Sequence, residues 1–302
     1  GSTSKITVNK EKSAGMYAKM TKDATAAKVS KNEGTIEILA DGDGKSAGMY
    51  SLMEGGSTQK LTTQNTGTIE VAQQVSAGMF AKNESGQANG QSEVLSSGLI
   101  KMTGINSVGI IGKKSKVTNS GTGTEGIEIS GKDSAGILAT DESEVINSGR
   151  IEGKTGTNLV GISVDKNSTV SNSGTITMKT TSNTGISSTG GAVTNSGTIT
   201  LEKDKSTGIS SVNGNVTNSS GATITAQEGS SVGIYAEIAG NDNRTVSNAG
   251  TISLTNATPA PSTLPEKSAA IYSLIGSGTG KLITTNSGTI DVDQKASVGI
   301  YA

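Results

Sequence analysis

The sequence contains no cysteine, histidine or tryptophan, and each absence excludes a class of chemistry. Without cysteine there is neither a disulfide framework nor a thiolate metal site. Without histidine the commonest general base and metal ligand is missing. Aromatic residues make up only 2% of the 302 residues, too few for the core of an ordinary globular domain. We therefore expect a non-enzymatic chain without a metal ion or cofactor.

Charge and hydropathy exclude two further classes. The chain has 25 basic and 26 acidic residues, a net charge of −1, whereas a protein that binds nucleic acid usually carries a strong basic excess. We therefore predict no nucleic-acid partner. No apolar run approaches the length needed to cross a bilayer, and no signal peptide is recognisable.

Two short motifs are repeated along nearly the whole chain. The first is NSGTIDV at residues 286–292, and the second is SVGIYA at residues 297–302. Close copies of the first motif occur at 32–38, 65–71, 172–178, 195–201 and 248–254. Close copies of the second occur at 13–18, 46–51, 76–81, 134–139 and 231–236. Such regular repetition indicates a repeat architecture.

The repeat unit predicts a parallel β-helix. The glycine of the first motif recurs every 23 to 38 residues, and each unit holds three short runs rich in β-branched residues with turn residues between them. Stacked strands explain this pattern, whereas apolar residues at helical spacing are missing. We predict an all-β fold of about ten coils with three strands each and a minimum coil of about 23 residues. Residues 1–302 would form one domain, cut from a longer protein.

The alternation along the strands assigns their faces. In the first strand Ile69 and Ile100 are predicted to point inward, and the acidic or Thr residues between the apolar positions outward. The asparagine that opens each first strand is predicted to stack on the same residue one coil away. These structural ladder residues are Asn32, Asn65, Asn119, Asn147, Asn172, Asn195, Asn218, Asn248 and Asn286.

Longer units indicate insertions. Residues 19–31, 52–64 and 82–95 lengthen the first three coils, and residues 237–245 lengthen a later one. The segment 255–267 contains all three prolines, Pro259, Pro261 and Pro265. Because proline cannot donate to a strand ladder, we predict that 255–267 leaves the rod as a loop. The loops at 255–267 and 237–245 are candidate binding segments.

All six aromatic residues occupy one position, the outward residue of the second motif. They are Tyr17, Tyr50, Phe80, Tyr235, Tyr272 and Tyr301. One interpretation is simple stacking of flat rings between coils. The other is an aromatic strip that holds a sugar or a partner surface. We favour the stacking interpretation and keep the binding strip as the alternative.

Acidic residues give one enzymatic alternative. Parallel β-helices include polysaccharide lyases and hydrolases, which need two or three carboxylates within several ångströms of each other. Here the outward acids of the first strand are Glu37, Glu70, Glu128 and Glu152. They are spread along a repeat position beside Thr and Lys, which favours a solvated stripe. The segment 41–45 (DGDGK) resembles part of a calcium loop, but Leu52 stands where the closing Glu would be needed.

The motifs resemble the repeats in the passengers of very large outer-membrane autotransporter adhesins (type V secretion), most closely those of fusobacteria. The resemblance covers residues 13–302 through the N-[STE]-G-T-I and [SA]-[AV]-G-[IM]-Y-A patterns. It implies a right-handed parallel β-helix, export by a C-terminal outer-membrane β-barrel of the same polypeptide, and display on the bacterial cell surface. Residues 96–99 (SSGL) depart from the usual NSGT.

We predict from this resemblance a rigid stalk or presentation scaffold in cell adhesion or coaggregation. Its partners would be a host-cell receptor, a surface glycan or a surface protein of another bacterium. The second hypothesis is a receptor- or glycan-binding module that acts through its loops or the aromatic strip. A polysaccharide-cleaving enzyme is the third.

Overall fold

Short strands that return to the same three faces account for the whole architecture. The computed structural model describes residues 4–165, 167–255, 267–294 and 296–302, and for residue 89 the backbone only. The strands of sheet 1 are Lys5–Val8, Thr35–Ile38, Thr68–Val71, Leu99–Met102, Gly126–Ile129, Arg150–Gly153, Thr175–Met178, Thr198–Leu201, Thr223–Ala226, Thr251–Leu254 and Thr289–Val292.

Sheet 2 contains the second motif and sheet 3 the short run before each ladder asparagine. The strands of sheet 2 are Ala14–Met20, Ala47–Met53, Ala77–Asn83, Val108–Lys113, Ala135–Thr140, Val160–Val164, Thr184–Thr189, Thr207–Val212, Val232–Ala239, Ala269–Ser277 and Val298–Tyr301. The strands of sheet 3 are Lys28–Asn32, Leu61–Asn65, Ser92–Ser96, Lys116–Asn119, Glu144–Asn147, Thr169–Asn172, Val193–Asn195, Val216–Asn218, Arg244–Asn248 and Leu282–Asn286.

The nth strands of the three sheets form coil n, so the described residues wind through eleven coils, the last with strands in sheets 1 and 2 only. Every strand pairs in parallel with its counterpart in the coils before and after it. Crossovers between parallel strands of one sheet take the right-handed sense. The predicted right-handed parallel β-helix with three short strands per coil is confirmed.

The register places like residues over like. Ile100 pairs with Ile69 of the coil below and with Ile127 of the coil above, and all three side chains are fully buried. Val117 and Val145 of sheet 3 pair with each other and are buried in the same core. One continuous apolar column runs along the axis, and each ladder gains roughly 25 cal/mol for every Å² of apolar surface removed from water.

Close approach between coils explains the glycine of the first motif in most coils, and Gly221, with a φ of 81°, is the exception. A Cβ added at Gly174 would lie 2.1 Å from the carbonyl oxygen of Gly149 in the preceding coil. Because that contact is with backbone, no side-chain movement could relieve it. Gly174 has no positive φ, so the requirement there is close approach.

Positive φ occurs instead at a corner that the sequence did not single out. The residue three positions before the glycine of the second motif lies in the left-handed region in most coils, with φ between 50° and 66°. These corner residues are Lys12, Lys45, Val75, Asn106, Asp133, Asn158, Ser182, Lys205, Ser230 and Ala296. The following serines continue the stack, as in the 3.3 Å bond from the Ser76 amide to Ser107 Oγ. A second polar ladder therefore fixes the turn into sheet 2.

The insertions join the stack rather than leave it. In the first three coils they lengthen the strands of sheet 2 and bury a small second cluster of Met20, Met53 and Leu61. The expectation that 237–245 forms a protruding loop is wrong for most of the segment. Glu237 and Ile238 extend a strand that pairs with Leu274 and Ile275, and Arg244 begins the next strand. Apolar and β-branched residues at these positions favour pairing over protrusion.

One turn of 3-10 helix, Asn89–Gln91, is the only helical element of the described residues. None of the described segments therefore offers a helix capable of spanning a bilayer. The prolines Pro259, Pro261 and Pro265 and most of the predicted 255–267 excursion lie outside the described residues.

Candidate functional site

The ladder asparagines form a buried row of hydrogen bonds along the corner between sheets 3 and 1. Asn172 Nδ2 donates to Asn195 Oδ1 at 2.7 Å, and the same bond recurs between successive coils at 2.6 to 2.8 Å. Asn147, Asn195, Asn218 and Asn248 are completely buried. None of the ladder asparagines has positive φ, so the side chain and not an unusual backbone explains the residue type. The row is structural, since each amide is used within the stack.

The row is interrupted once, at the SSGL departure. Ser96 takes the ladder position between Asn65 and Asn119. Its short side chain reaches neither neighbour, and Ser96 Oγ and Asn119 Oδ1 are both buried without a hydrogen-bond partner. The defect divides the asparagine row into a short part in coils 1 and 2 and a long part from coil 4 onwards.

The aromatic residues form two stacks rather than one strip. Tyr17, Tyr50 and Phe80 stack in coils 1 to 3, with ring centroids 5.4 and 5.1 Å apart. Tyr235, Tyr272 and Tyr301 stack in coils 9 to 11, with centroids 5.6 and 4.9 Å apart. Between the stacks the same row holds Ile111, Leu138, Ser163, Ser187 and Ser210. The two ring stacks therefore offer two separate surfaces.

Tyr235 differs from the other rings through a contact with Glu237. Its hydroxyl donates to Glu237 Oε2 at 2.6 Å, and both side chains lie on the same face of one strand. The hydrogen bond to this carboxylate and partial burial raise the pKa of Tyr235 to about 12. The contact anchors the second stack.

The strongest electrostatic feature is a cluster around Arg150 on the outer face of sheet 1. Arg150 occupies a position where most coils have Thr, such as Thr175 in the next coil. Its Nε donates to the carbonyl oxygen of Glu125 at 3.1 Å, and its Nη2 donates to Glu128 Oε1 at 2.8 Å. Nη1 donates to Glu152. Arg150 thus connects two coils and the turn that precedes Gly126.

Two lysines complete this cluster, which we call the Arg150 cluster: Glu128, Arg150, Glu152, Lys154 and Lys179. Lys154 Nζ lies 2.8 Å from Glu128 Oε1, and Lys179 Nζ lies 2.5 Å from Glu152 Oε1. Burial raises the pKa of Glu128, but hydrogen bonds from Lys154 and Arg150 outweigh it and hold that pKa below its usual value. The hydrogen bond to Glu152 raises the pKa of Lys179.

The prediction that the outward acids of sheet 1 form a solvated stripe is therefore wrong for Glu128 and Glu152. The carboxylate side chains of Glu128 and Glu152 are only 13% and 12% exposed, because the aligned carboxylates gather cations from neighbouring coils. Glu37 and Glu70 remain more exposed and pair with Lys5 at 2.6 Å and Lys101 at 4.0 Å. Alignment of the four acids followed from their spacing, whereas Arg150 was not recognised because its role depends on distant partners.

A cleft of about 600 Å³ lies beside the Arg150 cluster and is lined by Glu152, Thr177, Lys179 and Glu202, among others. Catalysis at such a surface needs a protonated acid beside an ionised base or nucleophile. Here Glu128 and Glu152 share Arg150, and a lowered pKa keeps Glu128 ionised at neutral pH. The cluster is suited to holding coils together rather than to transferring a proton.

The acidic segment 41–45 has a different local role. Gln73 Nε2 donates to the backbone carbonyl oxygen of Asp41, so this turn is tied to the next coil by an amide. Within the part of the chain that the structure describes, no group of three or more acidic residues converges as metal ligands would.

Comparison with known families gives one partial match. Residues 86–213 match the family model of the BigA third pectate lyase-like domain. This stretch runs from the end of coil 3 to coil 8 and includes the Arg150 cluster. Over these residues the chain is similar to a pectate lyase-like domain, in agreement with the observed β-helix.

Solved structures add a weaker likeness. The periplasmic alginate epimerase AlgG aligns over 91% of this chain and 76% of its own, with 14% identity and a TM-score of 0.34. A single-residue mutant of AlgG aligns over 90% and 77%, with 13% identity and a TM-score of 0.32. At these scores the likeness carries no argument about function. No curated protein sequence matched the chain significantly.

Proposed function

We propose that this chain is a β-helical segment of a bacterial surface adhesin of the autotransporter class. It acts as a rigid stalk and presentation scaffold in cell adhesion or coaggregation. The observation that carries the proposal is the continuous parallel pairing of sheets 1 and 2 through all eleven coils of the described residues, with one register shift between Ile238 and Ala239. The stability of a rod of this kind comes from contacts between neighbouring coils, and the hydrogen bonds between paired strands run along its axis. The resemblance of its motifs to autotransporter passengers supplies the surface location.

The charged surface supports a non-enzymatic role. The two most buried carboxylates of sheet 1, in Glu128 and Glu152, are each neutralised by two or more cations. A general acid needs a raised pKa, and that of Glu128 is lowered. The Arg150 cluster thus supports stiffness of the rod, because it ties three consecutive coils together.

The test displays the chain on bacteria between an outer-membrane anchor and a small binding module of known ligand. We expect the module to capture ligand-coated beads, and we expect capture to survive excision of residues 173–218, which removes two coils in register. A matched variant that lacks residues 173–206 removes a non-integral number of coils, breaks the register and should lose surface display. Equal display of both variants would refute a stacked scaffold.

The adhesive part of the proposal needs its own experiment. Bacteria that display the chain without the added module are mixed with host cells and with a second bacterium, and attachment is counted. Attachment above that of the anchor alone supports a direct adhesive role. The enzymatic alternative is tested by incubation with polygalacturonate and alginate. Formation of unsaturated products, or epimerisation seen by NMR, would overturn the scaffold as the main function.

A further inference from the structure

The surface beside the first aromatic stack contains an apolar hollow. It lies on the outer face of sheet 2 in coils 2 to 4 and encloses about 410 Å³, within the range of about 300–1,000 Å³ typical of ligand sites. The apolar residues that matter most are Tyr50, Val75, Phe80 and Ile111. Lys45 is the one charged residue among its lining residues. Along the same row the surface turns polar at Ser163, so the apolar area is bounded.

Val75 is an unusual residue for its position on the rim. It is one of the corner residues with positive φ, at 50°, and its side chain is 45% exposed. Left-handed backbone is unfavourable for a β-branched residue, and most other corner residues are polar, such as Asn106 and Ser182. Backbone strain of this kind persists where the surroundings impose it, often at functional positions. Val75 therefore exposes an apolar side chain at the edge of the hollow, on a backbone conformation that its residue type disfavours.

The ring geometry selects the class of partner. Both faces of Tyr50 are covered, by Tyr17 with the planes at 16° and by Phe80 with the planes at 9°. A sugar binds an aromatic residue through an exposed ring face, and Tyr50 offers only its edge. Ring edges and aliphatic groups such as Ile111 instead favour packing against apolar side chains.

Lys45 supplies the complementary charge. It lies at the mouth of the hollow, its residue is exposed, and within the described ranges it forms no ion pair. A carboxylate of a bound segment could therefore meet Lys45 without displacing an existing partner. We propose that the hollow binds a segment of a partner protein that carries large apolar side chains next to a carboxylate. This inference stands on the geometry of the hollow and goes beyond the scaffold function.

The test uses a short fluorescent peptide with a Leu-Leu-Asp centre in a Gly-Ser background. Control peptides carry Leu-Leu-Lys or Ser-Ser-Asp at the centre. Affinity is measured by fluorescence anisotropy against the full chain, and methyl NMR locates the contact at Ile111 and Ala77. We expect the Leu-Leu-Asp peptide to bind more tightly than both controls and to shift these methyl signals.

Three variants locate the determinants. V75N removes the apolar side chain but suits the left-handed backbone, so it should fold and weaken binding about tenfold. K45Q should retain binding and lose a preference of up to about fivefold for Asp over Lys in the peptide. S182N introduces asparagine at the equivalent corner of coil 7, where no apolar side chain is lost, and should leave affinity unchanged. The melting temperature of each variant, by circular dichroism, verifies that it is folded.

Several results would overturn the proposal. Absence of peptide binding, or equal affinity of wild type and V75N, would show that the hollow is not the site. Shifts of Ile111 and Ala77 caused by oligosaccharides and not by the peptide would assign the hollow to a glycan. Dimerisation of the full chain that V75N abolishes would assign it to a second copy.

Discussion

Ser96 lies directly below Asn119 in the buried corner row, and each leaves an oxygen atom without a hydrogen-bond partner. Elsewhere in the row one asparagine amide donates to the next, as Asn119 does to Asn147 at 2.7 Å. The pair is thus a local defect in an otherwise regular structure. A buried polar atom without a partner costs about 1–3 kcal/mol, which makes the defect measurable.

The first prediction repairs this defect. In S96N the new amide should donate to Asn119 Oδ1 and accept from Asn65, as equivalent residues do in other coils. We expect a stabilisation of about 1–3 kcal/mol, measured as an increase in thermal or denaturant midpoint. S96A removes one unpaired oxygen and leaves that of Asn119, so it should stabilise less than S96N. N172S, which introduces the same defect into an intact part of the row, should destabilise by a similar amount. A destabilised S96N would show that the corner of coil 3 has no room for asparagine.

The second prediction concerns the Arg150 cluster. R150T restores the residue that most coils have at this position, yet it should destabilise by about 2–4 kcal/mol. The reason is that Glu128 and Glu152 would lose the guanidinium between them, and the carbonyl oxygen of Glu125 would lose its donor. The measurement is the unfolding midpoint at neutral pH. K203T removes an exposed partner of Glu228 and should produce no measurable change. An R150T protein as stable as wild type would contradict a linking role for Arg150.

The third prediction is a pH dependence that follows from Glu128. Its pKa in the folded chain lies below the unfolded value of about 4.5, so its ionised form is favoured by folding. The contribution of ionised Glu128 to the free energy of unfolding is therefore present above pH 4.5 and is lost as the pH falls below that value. Thermal midpoints measured from neutral to acidic pH should fall on the acid side, and E128Q should start lower and fall less. If the thermal midpoints of wild type and E128Q fell in parallel at acidic pH, this pH dependence could not be assigned to Glu128.

The fourth prediction concerns Tyr235 at the alkaline end. Its pKa is raised from 10.0 to about 12, so the protonated phenol is favoured by folding. The associated stability is complete below pH 10 and is lost as the pH rises towards 12. Ultraviolet titration should show one tyrosine that ionises late, and Y235F should remove that step. E237Q should shift the step to lower pH. If the late ionisation step remained in Y235F, it would belong to another tyrosine.

Sequence spacing predicts much of the architecture because the repeat carries the register. Ile69 and Ile100 are buried one above the other as their motif positions require. The positions of Asn172 and Asn195 likewise follow from the 23-residue unit. In a parallel stack, equivalent residues must meet, so a repeat in the sequence translates directly into contacts.

Features outside the repeat could not be predicted in this way. In the sequence, Arg150 is only a departure from the usual Thr. Its role depends on its long side chain reaching Glu128 and the carbonyl oxygen of Glu125, which repeat spacing does not predict. Val75 lies in a corner conformation that its residue type disfavours, so propensity argues against the observed backbone. The segment 237–245 reads as a polar insertion, yet Ile238 pairs with Ile275. In each case a tertiary contact outweighs the local signal.

The hydrogen bonds between side-chain amides of the corner row all point the same way. Wherever two ladder asparagines occupy adjacent coils, the side-chain amide of the lower-numbered coil donates to the asparagine of the next, so within each uninterrupted part of the row the dipoles add instead of cancelling. A coil that has folded therefore presents a ready donor to its successor, while a coil that joins from the other side meets an acceptor. The rod has an intrinsic direction of assembly, and the two ends of a growing stack are chemically different surfaces.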